Sequence, residues 1–284
     1  MNNNSTKMEI NILVTLNEVY IPHLNTLLYS VLSSDPDIYL RVYLLHTSVR
    51  DQSLIKTRQI LDSMGGELIC INADELTLDG APTTERFPKE IYYRIFVAKF
   101  LPEDIDKVLY LDPDIIVKGS LKKLYSMDIS DHYFAAASHN GAFMRAINGR
   151  RLKMKKSAPY INSGVMLINL KKLRREQVYS EVFSFIEDNK KRLILPDQDI
   201  ISALYGDKIL ELDPYIYNMT ERQFVYSKLV GKGIDMEWIE NNTVIIHYCG
   251  KNKPWRRKYK GKLNMFYDKT ASDLGGLRET VTIE

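Results

Sequence analysis

The 284-residue chain is poor in cysteine, in long apolar runs and in net charge. Its two cysteines, Cys70 and Cys249, each lie in an apolar, strand-like run, and a chain this long can bury a core without covalent staples. We therefore expect two buried, reduced thiols. No run approaches the roughly 20 apolar residues that span a bilayer, and the opening "MNNNSTKMEI" has neither the basic start nor the apolar stretch of a signal peptide. The expectation is a cytoplasmic, soluble protein. A formal net charge of only +3 gives no ground for nucleic acid as a partner. Repeats and low-complexity tracts are lacking too, which sets aside solenoids and disordered arrays.

What is present is an ordinary globular composition, 45% hydrophobic and 26% charged, with an alternating pattern of short apolar runs and helical periodicities. "EINILVTL" (residues 9–16) reads as a first strand, and Tyr20, Leu24, Leu27, Leu28, Val31 and Leu32 follow at helical spacing. "YLRVYLLHT" precedes a helix that Gly65 and Gly66 should close, and "ELICINA" is the next strand. A helix over "KEIYYRIFVAKFLP" and strands in "KVLYLDPDIIV", "YFAAAS", "YINSGVMLINL" and "TVIIHYCG" complete the pattern. Such alternation implies a mostly parallel sheet with helices on both faces, whose ligands bind beyond the carboxyl ends of the strands. From about Gly250 the chain turns basic and aromatic, then polar. We therefore expect a main domain over 1–250 and a tail over 251–284.

In "KVLYLDPDIIV" two acids, Asp112 and Asp114, interrupt a run fit for burial. Paired carboxylates at a strand end suit Mg²⁺ or Mn²⁺, and the plainer alternative is turn chemistry around Pro113. An EF-hand loop beginning at Asp112 would need Gly and Glu where Val117 and Lys123 stand. Haloacid dehalogenase-type phosphatases also place D-x-D after a strand, and "GDKILELD" loosely echoes their second acidic motif. Their pair, however, lies on the first strand rather than in mid-chain.

"YLDPDIIVKGSL" resembles the D-x-D segment of glycosyltransferase family 8. "YYRIFVAKFLP", "YINSGVMLINLKKLR" with "PDQDII", and "HYCGKNKPW" follow the family's order, so the similarity covers roughly residues 10–255. The resemblance implies a Rossmann-like nucleotide-sugar transferase fold of the GT-A type and a UDP-hexose donor. It also implies Mn²⁺, with Mg²⁺ as a substitute, retention at the anomeric carbon, and a glycan or glycolipid acceptor of the cell surface.

Residue by residue, the resemblance makes Asp112, Asp114 and His247 metal ligands, although a lone histidine in "VIIHYCG" is otherwise a core residue. Gly250 would let backbone approach the phosphates and Lys253 would contact them. Arg94 would sit near the donor sugar and Asn162 at the reacting sugar. Asp197 and Gln198 would read sugar hydroxyls and line the face opposite the leaving group, Asp197 being otherwise an N-cap. Asn17 stands where many members carry an aspartate that reads uracil, and its amide carbonyl can accept the same hydrogen bond. Tyr20 is either a base contact or a core residue of a helix face, and Val19 replaces a polar residue. The basic run "KNKPWRRKYKGK", with Trp255 and Tyr259 interleaved, suits weak peripheral contact with an anionic membrane or simple solvation. A metal-dependent phosphohydrolase and a non-catalytic nucleotide-sugar binder are the rival readings.

Overall fold

The computed structural model describes residues 7–73, 90–139 and 142–281. Its strands are β1 (Met8–Thr15), β2 (Ile38–His46), β3 (Gly66–Asn72), β4 (Lys107–Leu111), β5 (Ile115–Val117), β6 (Phe134–Ala137), β7 (Val165–Asn169), β8 (Ile209–Leu212) and β9 (Ile245–His247). Seven of them form one sheet in the order β3-β2-β1-β4-β7-β6-β8. β3, β2, β1 and β4 run parallel, β7 is antiparallel to both β4 and β6, and β8 is parallel to β6.

Strand alternation sorts the side chains between two cores. Ile12, Val14, Leu109, Leu111, Val165 and Leu167 face one, together with the buried side of the helix Ile21–Ser34. Leu13, Val108, Tyr110, Met166 and Ile168 face the other. A sheet covered on both faces needs near-continuous apolar strands, which is how these runs read in sequence. The helix Ile55–Met64 closes at Gly65, whose φ of 103° is left-handed, and its N–H bonds the Leu61 carbonyl.

Four expectations require correction. Lys89, the first residue of the long helix expected over "KEIYYRIFVAKFLP", lies outside the described residues. Beyond it the chain forms only a short helix, Glu90–Tyr93, and a 3₁₀ turn, Val97–Lys99, with Arg94 between them. Every residue from Tyr92 to Ala98 is buried, which leaves no solvent face for an amphipathic helix. "YINSGVMLINL" is a strand only from Val165 on. Upstream, Ile161 N–H donates to the Ser202 hydroxyl and Asn162 N–H to the Ala137 carbonyl, so backbone donors are satisfied without a ladder. "TVIIHYCG" contributes β9, but β9 leaves the main sheet and pairs antiparallel with β5 as a separate ribbon. Both cysteines are free as expected, but neither is fully buried: Cys70 is half-buried on the edge strand β3, and Cys249 is exposed where the chain turns after β9.

A third cluster gathers Ile116, Met219, Phe224, Ile246 and Tyr248 with Leu263, Phe266 and Tyr267. Residues beyond Gly250 thus pack against the β5–β9 ribbon, and the helix Asn264–Val281 lies along the helix Ile21–Ser34. Among the described residues no helix is long and apolar enough to cross a membrane.

Candidate active site

The break between β4 and β5 builds the centre of the site. After Leu111 the chain leaves the sheet, the Asp112 N–H donates to the Gly164 carbonyl at 2.8 Å, and Asp114 opens the β5–β9 ribbon. In that ribbon Ile115 pairs with His247, and the Tyr248 N–H donates to the Asp114 carbonyl. Register alone therefore delivers His247 to the two acids. One ligand atom from each of Asp112, Asp114 and His247 lies within 4.8 Å of the others. His247 Nε2 is 3.3 Å from Asp114 Oδ1 and 3.6 Å from Asp112 Oδ2.

These residues fit a divalent cation. Asp114 Oδ1 and His247 Nε2 are buried without a hydrogen-bond partner among the described residues, yet face one another. Two buried lone pairs at that separation call for a shared positive partner, and two carboxylates with one imidazole are a donor set for Mn²⁺. Gly164 makes the room: a Cβ there would stand 2.3 Å from His247 Cε1 and 2.6 Å from Asp112 Oδ2. Burial works against charge at Asp114, but neighbouring positive charge, from Lys253 and from His247 when that ring is protonated, outweighs that cost and holds its carboxyl well below the ordinary range.

Around the acids runs a bonded frame. Arg94, buried, reaches Asp112 Oδ1 and Asp197 Oδ2 at 3.1 Å each, and lies 4.2 Å over the Tyr110 ring. Tyr110 donates its hydroxyl to Asp112 and meets the Thr15 hydroxyl at 3.1 Å. Asp197 is not an N-cap. Its carboxylate takes Arg94 and the Ser163 hydroxyl, and burial, only partly offset by Arg94, raises its pKa. Asn162 donates to Gln198 Oε1 at 3.0 Å, and its own Oδ1 accepts from the Gly164 N–H and from Asn218. Arg94, Asn162, Asp197 and Gln198 thus join the two acids in one network.

One helix supplies both Asp197 and Gln198 and their anchor. Pro196–Tyr205 carries Asp197 and Gln198 in its first turn, followed by Asp199, whose side chain is wholly buried. Asp199 accepts a two-pronged bond from Arg151, the Tyr160 hydroxyl at 2.7 Å and the N–H groups of Ile194 and Leu195.

On the other flank, Lys253 is buried and donates to Asp114 Oδ2 and to the Tyr248 carbonyl. Gly250 has a φ of 88°, a left-handed turn that favours glycine. Asn17 follows the carboxyl end of β1, and its Oδ1 is buried without a hydrogen-bond partner among the described residues. Tyr20 is half-buried and stands edge-on to His23 and Trp255, while His23 stacks on Trp255 at 3.5 Å between centroids. Burial lowers the His23 pKa to about 4. Val19 is exposed. Of the basic run, Trp255 and Tyr259 turn inward, Tyr259 bonding Glu221, which leaves Arg256, Arg257, Lys258, Lys260 and Lys262 to solvent.

Sequence reasoning singled out neither Asn218 nor Gly164. Asn218 is fully buried, and its Oδ1 meets His247 Nδ1 at 2.9 Å, which assigns the proton to Nδ1 and turns Nε2 toward the acids. Its backbone carbonyl meets His139 Nε2, and burial lowers the His139 pKa to about 3. Only the glycine inside the apolar run "NSGVML" carried a signal of close approach. The acids of "GDKILELD" serve elsewhere: Asp207 pairs with Lys155, and Asp213 caps the helix Pro214–Tyr217.

This geometry agrees with three similarities to known proteins. The chain is 26% identical over 249 residues to general stress protein A of Bacillus subtilis, covering 85% of each chain. It is 33% identical over 188 residues to a lipopolysaccharide 1,2-glucosyltransferase of Escherichia coli, covering 64% of this chain and 54% of that one. It superposes on the galactosyltransferase LgtC, solved with donor and acceptor sugar analogues, with a TM-score of 0.79 at 25% identity over 94% of this chain and 96% of that one. Residues 11–259 match the family model for glycosyl transferase family 8, and the chain belongs to that family.

Proposed function

We propose that this glycosyltransferase moves galactose or glucose from a UDP-linked donor to a glycan or glycolipid, with retention, using Mn²⁺ or Mg²⁺ held by Asp112, Asp114 and His247. The observation that carries the proposal is the pair of unpartnered buried atoms, Asp114 Oδ1 and His247 Nε2, beside Asp112. When bound, the cation supplies Lewis-acid stabilisation of the diphosphate leaving group. Lys253 adds an ammonium charge on the same side. Arg94 holds Asp112 and Asp197 in fixed relation, which sets the carboxylate that reads sugar hydroxyls against the metal acids.

Gln198 is a neutral amide already bonded to Asn162, so it is a poor nucleophile. The acceptor's proton then goes to the leaving phosphate on the same face, and no glycosyl-enzyme intermediate is required. Incubation of donor with an acceptor panel and NMR of the product tests this: an α linkage from an α-linked donor is expected, and a β linkage would exclude it. Against the phosphohydrolase reading, the acids that would form its second motif are engaged elsewhere.

The free Asn17 carbonyl oxygen favours uracil as the base. UDP with Mn²⁺ should therefore raise the melting temperature more than GDP or ADP does, and Asn17→Ala should abolish the difference. Equal protection by all three would mean that the base is not read. The exposed cations beyond Trp255 support weak contact with anionic lipid at about 1 kcal/mol per charge. Co-sedimentation with anionic vesicles should fall sharply as salt is raised, and pelleting that ignores lipid charge would remove the membrane from the picture.

A further inference from the structure

A second concavity lies apart from the metal-binding residues. Its volume is about 810 Å³, and its wall includes Arg145, Gly149, Arg150, Lys155, Lys156 and Ala158, with no aromatic ring among the described lining residues. Resting on the glycosyl-transfer reading, we propose that this cavity binds an anionic group, phosphate or carboxylate, on the acceptor saccharide.

Charge is the first argument. Four of the wall residues are cationic in a chain whose net charge is only +3. Arg145 and Lys155 are neutralised by Glu211 at 2.9 Å and Asp207 at 2.5 Å. Arg150 and Lys156 are exposed and have no acidic partner among the described residues. A wall with two uncompensated cations selects a ligand by its negative charge.

The second argument is that the cavity is built into the fold. The helix Ala142–Leu152 ends in a left-handed residue, Lys153, with φ 56°, and the Met154 N–H bonds back to the Gly149 carbonyl at 2.8 Å. That closure fixes the turn presenting Lys155 and Lys156. Arg151, next to Arg150, is locked to Asp199. Ala158 packs so tightly on Gly206 that a Cβ at residue 206 would lie 2.5 Å from it.

Position gives the third. From Ala158 the chain runs through Tyr160, bonded to Asp199, and Ile161, bonded to Ser202, directly to Asn162. The helix Pro196–Tyr205 bears Asp197 and Gln198 at one end and abuts Gly206, against the cavity wall, at the other. A volume of this size suits a small ligand such as one or two sugar units, which could extend from Asn162 into the cationic wall.

The test uses the full chain saturated with UDP and Mn²⁺, so that the nucleotide site is filled. Glucose 6-phosphate, glucuronate, glucose and inorganic phosphate are titrated separately, with binding read by calorimetry and NMR. Both anionic sugars should bind at least about tenfold more tightly than glucose or inorganic phosphate. The double variant Arg150→Ala/Lys156→Ala should lose that margin while its UDP affinity and melting temperature stay unchanged. Three results overturn the proposal: neutral glucose binding equally well, inorganic phosphate matching glucose 6-phosphate, or an unchanged margin in the double variant. If UDP with Mn²⁺ does not bind at all, the nucleotide reading fails by itself, and the same titrations without it still decide this one.

Discussion

Asp112→Asn and Asp114→Asn should each cut sugar transfer by roughly a thousandfold or more, because a Lewis-acid cation contributes several kcal/mol to a departing diphosphate and each 1.36 kcal/mol is a factor of ten. Asparagine keeps the shape of the side chain and can still accept from the Tyr110 hydroxyl or the Lys253 amine, so the fold should survive. Circular dichroism and a melting curve check that part. EDTA should reproduce the loss in the unaltered chain, and Mn²⁺ should restore activity. Undiminished turnover in chelator would falsify the metal assignment.

Asp199→Ala should have the largest effect on stability. The substitution strips a buried carboxylate from Arg151, Tyr160 and two backbone donors at once, and breaking one side of a buried ion pair costs about 3–5 kcal/mol. For a chain of this size that corresponds to a fall in melting temperature of roughly 6–20 °C. Arg151→Met in the same background should recover part of it by removing the stranded cation. A fall of less than about 2 °C would show that the hub bears little of the fold's stability.

Those three aspartates were unequally visible in the sequence. Asp112 and Asp114 stand out because carboxylates inside an apolar strand need a reason. Asp199 looks like any acidic residue in the first turn of a helix, and its partners come from Arg151, Tyr160 and the backbone upstream. The parallel run β3-β2-β1-β4 was legible from apolar runs alternating with helical spacing. The reversal of β7 was not, since "VMLIN" reads alike in either direction and only its neighbours set its sense. Nor could the sequence show that "TVIIHYCG" leaves the sheet, because two isoleucines and a histidine buried in a ribbon read like the same residues buried in a sheet.

The site followed the same division. Motif resemblance pointed to Arg94, Asn162, Asp197, Gln198, Lys253 and the set Asp112, Asp114 and His247, and the structure brings Arg94, Asn162, Asp197 and Gln198 into one network with the two acids. The helix assumed for Arg94 was wrong because burial on all sides erases the amphipathic pattern that periodicity measures. Asn218 carries no local signal at all. Its importance arises only from contacts with His247 and Asn162, which lie far from it in the chain.

The two oxygens of Asp114 have different partners. Oδ2 receives the Lys253 amine, while Oδ1 faces His247 Nε2 with no donor among the described residues. His247 is aimed in the same way by Asn218, and Asp112 by Tyr110 and Arg94. Every side chain of the triad is therefore aligned by protein bonds alone. If the triad holds an ion as proposed, loading is separable from folding: that ion would be stripped from and returned to an intact receptor with no rearrangement of the chain.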